Sequence, residues 1–161
     1  MQDEVPLIGR GLYWQDMPVG YKCRTFGRTI TEPDLVNFIS CTGMLEVLFT
    51  NEVYRQTESA IKGRLVPGAL VFSMAEGLVI GATIQGTGMA FLGMDLEIKA
   101  PTFVGDTIHV ELEVIEARRA STGNRGLVRT KNVVLNQKRE TALVYSPLRM
   151  MKGRPETEAT R

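Results

Sequence analysis

Two stretches in the second half of the chain alternate between apolar and polar residues. From Phe91 to Lys99, Leu92, Met94, Leu96 and Ile98 alternate with Gly93, Asp95, Glu97 and Lys99. From Thr107 to Ile115, Ile108, Val110, Leu112 and Val114 alternate with Thr107, His109, Glu111 and Glu113. A period of two predicts strands with one buried and one wet face. Residues 126–135 and Thr141 to Met151 read as two further strands, separated by turn chemistry at Gly105-Asp106, Ser121 to Arg125 and Asn136 to Glu140. Upstream, Tyr21 to Ile30 alternates loosely and suits a first strand. Leu35, Phe38 and Ile39 fall on one face of a helix whose start is marked by Thr31 as N-cap, Pro33 in the first turn and Asp34 at the third helical position. Gly43 is placed to end it. Asn51 to Thr57 predicts a second short helix. From about Gly68 to Gln85 the chain is apolar enough for a long buried helix of about 27 Å at ~1.5 Å per residue, stopped by Gly86-Thr87-Gly88.

Strands gathered after helices imply an α+β domain, with the long helix on one face of an antiparallel sheet. The 161 residues fit one domain over 21–151, an extended lead-in over 1–20 and a charged, aperiodic tail over 152–161 that is expected to be disordered. The apolar run from Leu65 to Ile84 contains Pro67, Ser73 and Glu76, and a charge at a bilayer centre costs about 2.5–3.5 kcal/mol. A helix wrapped by a sheet is therefore expected, not a membrane span. Met1 to Pro6 has neither the basic nor the apolar region of a secretory signal, so a cytoplasmic location is expected. Nineteen basic residues nearly balance eighteen acidic ones, which gives no reason to expect nucleic acid or an anionic membrane as partner. Cys23 and Cys41 are far apart, make no zinc spacing and read as reduced thiols. No phosphate-binding glycine loop or Cys/His cluster occurs, and neither an organic cofactor nor a metal is implied.

Several short runs occur in a fixed order: Thr31-Glu32-Pro33-Asp34-Leu35, Thr42-Gly43, Val66-Pro67-Gly68-Ala69-Leu70-Val71-Phe72-Ser73, and Ala100-Pro101-Thr102-Phe103-Val104-Gly105-Asp106-Thr107. In this order and spacing, over roughly residues 20–150, the chain resembles the MaoC-like (R)-hydratases. The resemblance implies a hot-dog fold, a long central helix wrapped by a curved antiparallel sheet. It also implies an acyl-CoA or acyl-carrier-protein thioester as ligand, and water added to an enoyl thioester or removed from a 3-hydroxyacyl thioester. The family pattern places an Asp one residue after Thr-Gly and a His five residues further on; here those places hold Met44 and Phe49. A homodimer is expected, both because a small curled sheet leaves edges that need cover and because the family pairs its sheets edge to edge.

Hydration of an enoyl thioester needs a base for water, an acid for the α-carbon and donors for the enolate oxygen. Met44 and Phe49 supply neither proton transfer, and the single His, His109, lies on the polar face of a strand. Glu46 stands among Met44, Leu45, Val47, Leu48 and Phe49, an apolar setting that would suit a base. Ser73 matches the family serine beside the catalytic pair; its plainer reading is a helix hydroxyl bonded back one turn. Glu76 reads as a second carboxylate on the long helix, or as one half of an interface ion pair. Gly68 opens the long helix, where free backbone N–H groups could polarise a thioester oxygen. Met44, Phe49, Val66, Gly68 and Ala69 are the expected substrate-binding positions, and Glu46 and Ser73 the catalytic ones. Arg118, Arg119, Arg125 and Arg129 read as a solvated rim or as contacts for coenzyme A phosphates. Three functions stay open on these residues: a hydratase with a remodelled site, a non-catalytic acyl-CoA-binding subunit, and a thioesterase using a carboxylate.

Overall fold

The capping residues at Thr31 behave as their spacing predicts. In the structure, a computed structural model describing residues 5–156, Thr31 N–H donates to Asp34 Oδ2 at 2.8 Å and Asp34 N–H donates to Thr31 Oγ1 at 3.4 Å. This reciprocal pair starts helix α1 (Glu32–Thr42), and Gly43 ends it with φ 71°. Leu35 and Ile39 form its buried face. Two short helices follow, α2 (Val47–Thr50) and α3 (Glu52–Thr57), capped by the side chains of Glu46 and Asn51. The first of them was not legible as a helix, because four residues are too few to show a period.

Helix α4 (Gly68–Val79) buries Leu70, Val71, Met74, Ala75 and Val79. The expected long helix is present, but its last turn, Ile80–Ile84, is π-helical. Thr83 donates its hydroxyl to the Val79 carbonyl at 2.7 Å within that turn. The lead-in straps this end: Gly11 N–H donates to Gln85 O and Leu12 N–H to Thr83 O, each at 2.7 Å. A Cβ on Gly11 would lie 2.5 Å from the Thr83 carbonyl oxygen, so only glycine permits the approach.

The strands are β1 (Lys22–Arg24), β2 (Arg28–Thr29), β3 (Gly88–Ile98), β4 (Thr107–Arg119), β5 (Arg125–Leu135) and β6 (Thr141–Lys152). They form an antiparallel six-stranded sheet in the order β1-β4-β5-β6-β3, with β2 also on β4. The single first strand expected over 21–30 is two short ones, parted where Phe26 turns out to solvent at 94% exposure. On β4, Ile108, Val110, Leu112 and Val114 are all buried, as their alternation requires.

The alternation of β3 does not end in burial within the chain. All of β3 is exposed, Leu96 at 39% and Ile98 at 51%. The reason is topological: β3 is an edge strand, bonded only to β6. The tail also differs from expectation. Lys152 belongs to β6, Gly153 N–H donates to Asn124 O at 2.8 Å, and Arg154 N–H donates to Gln15 Oε1 at 3.1 Å and its guanidinium pairs with Asp16. Long-range partners order residues that have no local pattern of their own. Residues 157–161 of the expected disordered tail, and residues 1–4 of the lead-in, lie outside the described residues.

Candidate functional site at the start of the long helix

The approach to α4 is pinned on both sides. Leu65 bridges to Phe103, Val66 N–H donates to Thr102 O and Val104 N–H donates to Arg64 O, both at 2.9 Å. Pro67 then takes the N-cap place and offers no side-chain cap. Leu70 and Val71 both donate to the Pro67 carbonyl. Among the described residues nothing accepts from the N–H groups of Gly68 and Ala69. These are the free donors of a helix start, at the positive end of its dipole.

Beside them lies a cavity of about 350 Å³, lined by Phe49, Leu65, Val66, Gly68, Val71, Ile98 and Leu143 among others. Its walls are apolar, and Lys99 is the only charged residue in the lining among the described residues. The Lys99 ammonium pairs with Glu97. A Cβ on Gly68 would come within 2.7 Å of Ile98 Cδ1, so the glycine keeps this wall open.

Phe49 reaches the cavity from α2, and Arg64 fixes it there. Arg64 Nη1 donates to the Phe49 carbonyl at 2.5 Å, while Nε donates to the Glu32 carboxylate at 2.8 and 2.9 Å. Those hydrogen bonds hold the Glu32 carboxyl below the usual range against a smaller opposing effect of burial. One guanidinium thus joins α1, α2 and the entry to α4. Nothing in the sequence singled out Arg64, because its partners are distant in the chain. Lys99 was likewise read only as a polar strand position.

Of the residues expected at the site, the cavity gathers Phe49, Val66 and Gly68. Met44, Glu46, Ala69 and Ser73 are exposed and do not line it. Glu46 caps α2, accepting from Leu48 N–H at 2.9 Å, and its carbonyl accepts from Phe49 N–H at 2.9 Å. Ser73 donates to the Ala69 carbonyl at 2.8 Å, the bond back to the preceding turn. Glu76 is 8% exposed and accepts from Arg149 of β6 at 2.6 Å, and the Arg149 guanidinium stands 5.1 Å from the centre of the Phe91 ring. Tyr145 lies beside Glu76; burial, and next the carboxylate, push its phenol well above the usual range and keep it neutral.

His109 is on the face of β4 away from α4, 3.4 Å from Glu111. The arginines of the β4–β5 turn are engaged locally: Arg118 and Arg129 with Glu116, and Arg125 with Thr122. They sit at the opposite end of the sheet from the cavity. Gly77 and Gly81 face open space. Among the described residues no group of three His, Cys, Asp or Glu side chains is placed to hold a metal, and no helix is long and apolar enough to cross a membrane.

No family model matches the chain. It is 30% identical over 104 residues to an (R)-specific enoyl-CoA hydratase of Aeromonas caviae, a match taking in 65% of this chain and 75% of that one. A MaoC-like dehydratase from Rhodospirillum rubrum superposes with a TM-score of 0.80 at 20% identity, over 90% of this chain and 99% of that one. A Mycobacterium tuberculosis protein with a double hotdog fold superposes with a TM-score of 0.80 at 21% identity, over 91% of this chain and 46% of that one. The two superpositions show the fold, a helix packed on one antiparallel sheet. The sequence match, to a relative of which this chain covers three quarters, shows the family: the chain belongs to the MaoC-like (R)-specific enoyl-CoA hydratase family.

Proposed function

We propose that the chain binds an acyl thioester in the cavity at the start of α4 and adds or removes water across its α,β bond. The observation that carries this reading is the pairing of an apolar slot with the free N–H groups of Gly68 and Ala69. The slot suits an acyl chain, and the two donors suit a thioester oxygen that gains charge as an enolate forms. The carboxylate assigned as base is Glu46, which stands exposed outside the cavity lining, at the head of the one-turn helix that carries Phe49 into the wall. Ser73 is assigned a supporting hydroxyl one turn along α4. Met44 and Ala69, exposed and outside the cavity lining, are assigned to the approach to the slot. Hydration of crotonyl-CoA, followed by loss of enoyl absorbance, tests the reading. Turnover that falls in Glu46→Gln supports it; no turnover over a panel of enoyl thioesters defeats it.

A second reading has its own support. Among the described residues no carboxylate or imidazole lines the cavity, and the places of the family acid and base hold Met44 and Phe49. A non-catalytic subunit that binds acyl thioesters fits that lining. Titration calorimetry separates the two, since the subunit binds acyl-CoA without turning it over.

Both readings include a homodimer. The outer edge of β3 has unpaired backbone groups, and Phe91, Leu92, Met94, Leu96 and Ile98 stand on it exposed. The face of α4 bearing Ala69, Ser73 and Gly77 is also exposed and small enough for close approach. An exposed apolar edge is an aggregation hazard unless a second chain covers it. A second copy, paired edge to edge, satisfies both surfaces.

A further inference from the structure

The middle of the core is polar where the plan of the fold would make it apolar. Val128, Thr130, Asn132 and Val134 share the inward face of β5, and Leu143, Tyr145 and Arg149 share that of β6. Asn132 is opposite Tyr145 in the β5–β6 register. Asn132 is fully buried, Tyr145 is 1% exposed and Thr130 5%. Both amide atoms of Asn132 and the Thr130 hydroxyl make no well-formed hydrogen bond among the described residues, and the Tyr145 hydroxyl, although close to both Glu76 and the Asn132 amide, is in good hydrogen-bond geometry with neither. From α4, the Phe72 ring meets Tyr145 edge-on at 5.2 Å, and Glu76 stands beside the phenol. Buried polar atoms are nearly always paired, and where protein groups do not do it, ordered water does. A water needs two to four polar partners; here four unpaired atoms and a carboxylate share one inward surface.

The position of these groups adds a second fact. Leu143 lines the cavity at the start of α4, and Val134 is its register partner. Two residues along come Tyr145 and Asn132, then Thr130, then Arg149 with Glu76. That last pair lines another cavity, of about 380 Å³, with Ile80, Met89 and Phe91. The polar row therefore runs along β5 and β6 from one cavity to the other.

We infer that a short file of internal water molecules, bound by Asn132, Tyr145, Thr130 and Glu76, lies between α4 and the β5–β6 pair and joins the two cavities. Each water accepts from Asn132 Nδ2 or a hydroxyl and donates to Asn132 Oδ1 or the Glu76 carboxylate. If the chain is a hydratase, a role that rests on the proposed function, this file carries the reacting water to or from the slot while the acyl chain fills its mouth.

The test is water-to-protein cross-relaxation by NMR on the intact chain. Cross-peaks from a long-resident water to the Asn132 side-chain amide protons are expected, weakened in Thr130→Val and in Tyr145→Phe. Their absence in the unsubstituted protein overturns the inference. Should Tyr145→Phe not fold, Thr130→Val, which keeps the side-chain volume, carries the comparison. The transport role is read separately: Thr130→Val is expected to lower kcat for crotonyl-CoA at least threefold with KM unchanged. An unchanged kcat removes that role. An unsubstituted protein that turns over no thioester defeats the hydratase reading instead, while the cross-peaks, which need no substrate, still decide the hydration site.

Discussion

Gly68 shapes one wall of the slot, Glu46 is assigned its chemistry, and Glu76 and Arg149 meet at the other cavity; each has a consequence that can be measured. Gly68 leaves no side chain between the helix start and Ile98, where a Cβ would meet the δ-methyl at 2.7 Å. Gly68→Val is expected to close that wall and weaken acyl-CoA binding about tenfold, roughly 1.4 kcal/mol, by calorimetry; unchanged affinity would move the ligand elsewhere. Glu46 is assigned the proton transfer, so Glu46→Gln should lower kcat by about 10²-fold or more with the fold intact. Glu76 and Arg149 form a buried pair whose side chains are only 11% and 7% exposed. Removing one partner strands a charge, and Arg149→Met is expected to cost about 3–5 kcal/mol in urea unfolding. The double variant Glu76→Leu/Arg149→Met should recover most of that loss. At this scale the sequence was half readable. Gly68 was found from its place at a helix start and Val66 from the run that carries the family resemblance, whereas the partners of Glu76 and Arg64 come from other elements and have no local signal.

Elements carry the next prediction. The box at Thr31 and Asp34 starts α1, and α1 supplies Glu32 to Arg64, which fixes Phe49. The Thr31 hydroxyl and N–H hold the Asp34 carboxyl below its ordinary range, with Arg28 adding to them. A carboxyl depressed by folding contributes stability in full above its unfolded pKa, and loses it as pH falls through the folded one. Melting temperature should therefore drop as pH goes below the ordinary aspartate range, and the drop should be shallower in Asp34→Asn. Thr31→Ala is expected to cost about 1 kcal/mol at neutral pH. Helix α1, the long helix and β4 to β6 were legible because each has a period or a cap in its own residues. The one-turn α2, the break between β1 and β2 and the π-helical turn at Ile80–Ile84 were not. Each is too short for a period, or is imposed by a contact such as the lead-in on Thr83 and Gln85.

For the whole molecule the decisive feature is the free edge of the sheet. Strand β3 has a clear alternation, yet none of its residues is buried within one chain. If two copies pair there, Met94→Lys places charge at the centre of the contact and should yield monomers by sedimentation equilibrium. A chain that is already monomeric without the substitution would remove the dimer from the proposal. Acyl-thioester binding measured on the same monomeric variant then shows whether one copy completes the slot.

Periodicity and caps are local, so the sequence by itself determined the helix starts, the strand faces and the α+β order in which they come. It also determined what the site lacks, since Met44 and Phe49 cannot transfer protons in any fold. Tertiary structure alone decided which residues meet. It set Phe49, Ile98 and Leu143 around one cavity, placed the Glu46 carboxylate as the cap of α2, and buried Asn132 and Tyr145 behind the long helix. Contacts between residues far apart in the chain depend on how whole elements pack, and no window of the sequence contains that information.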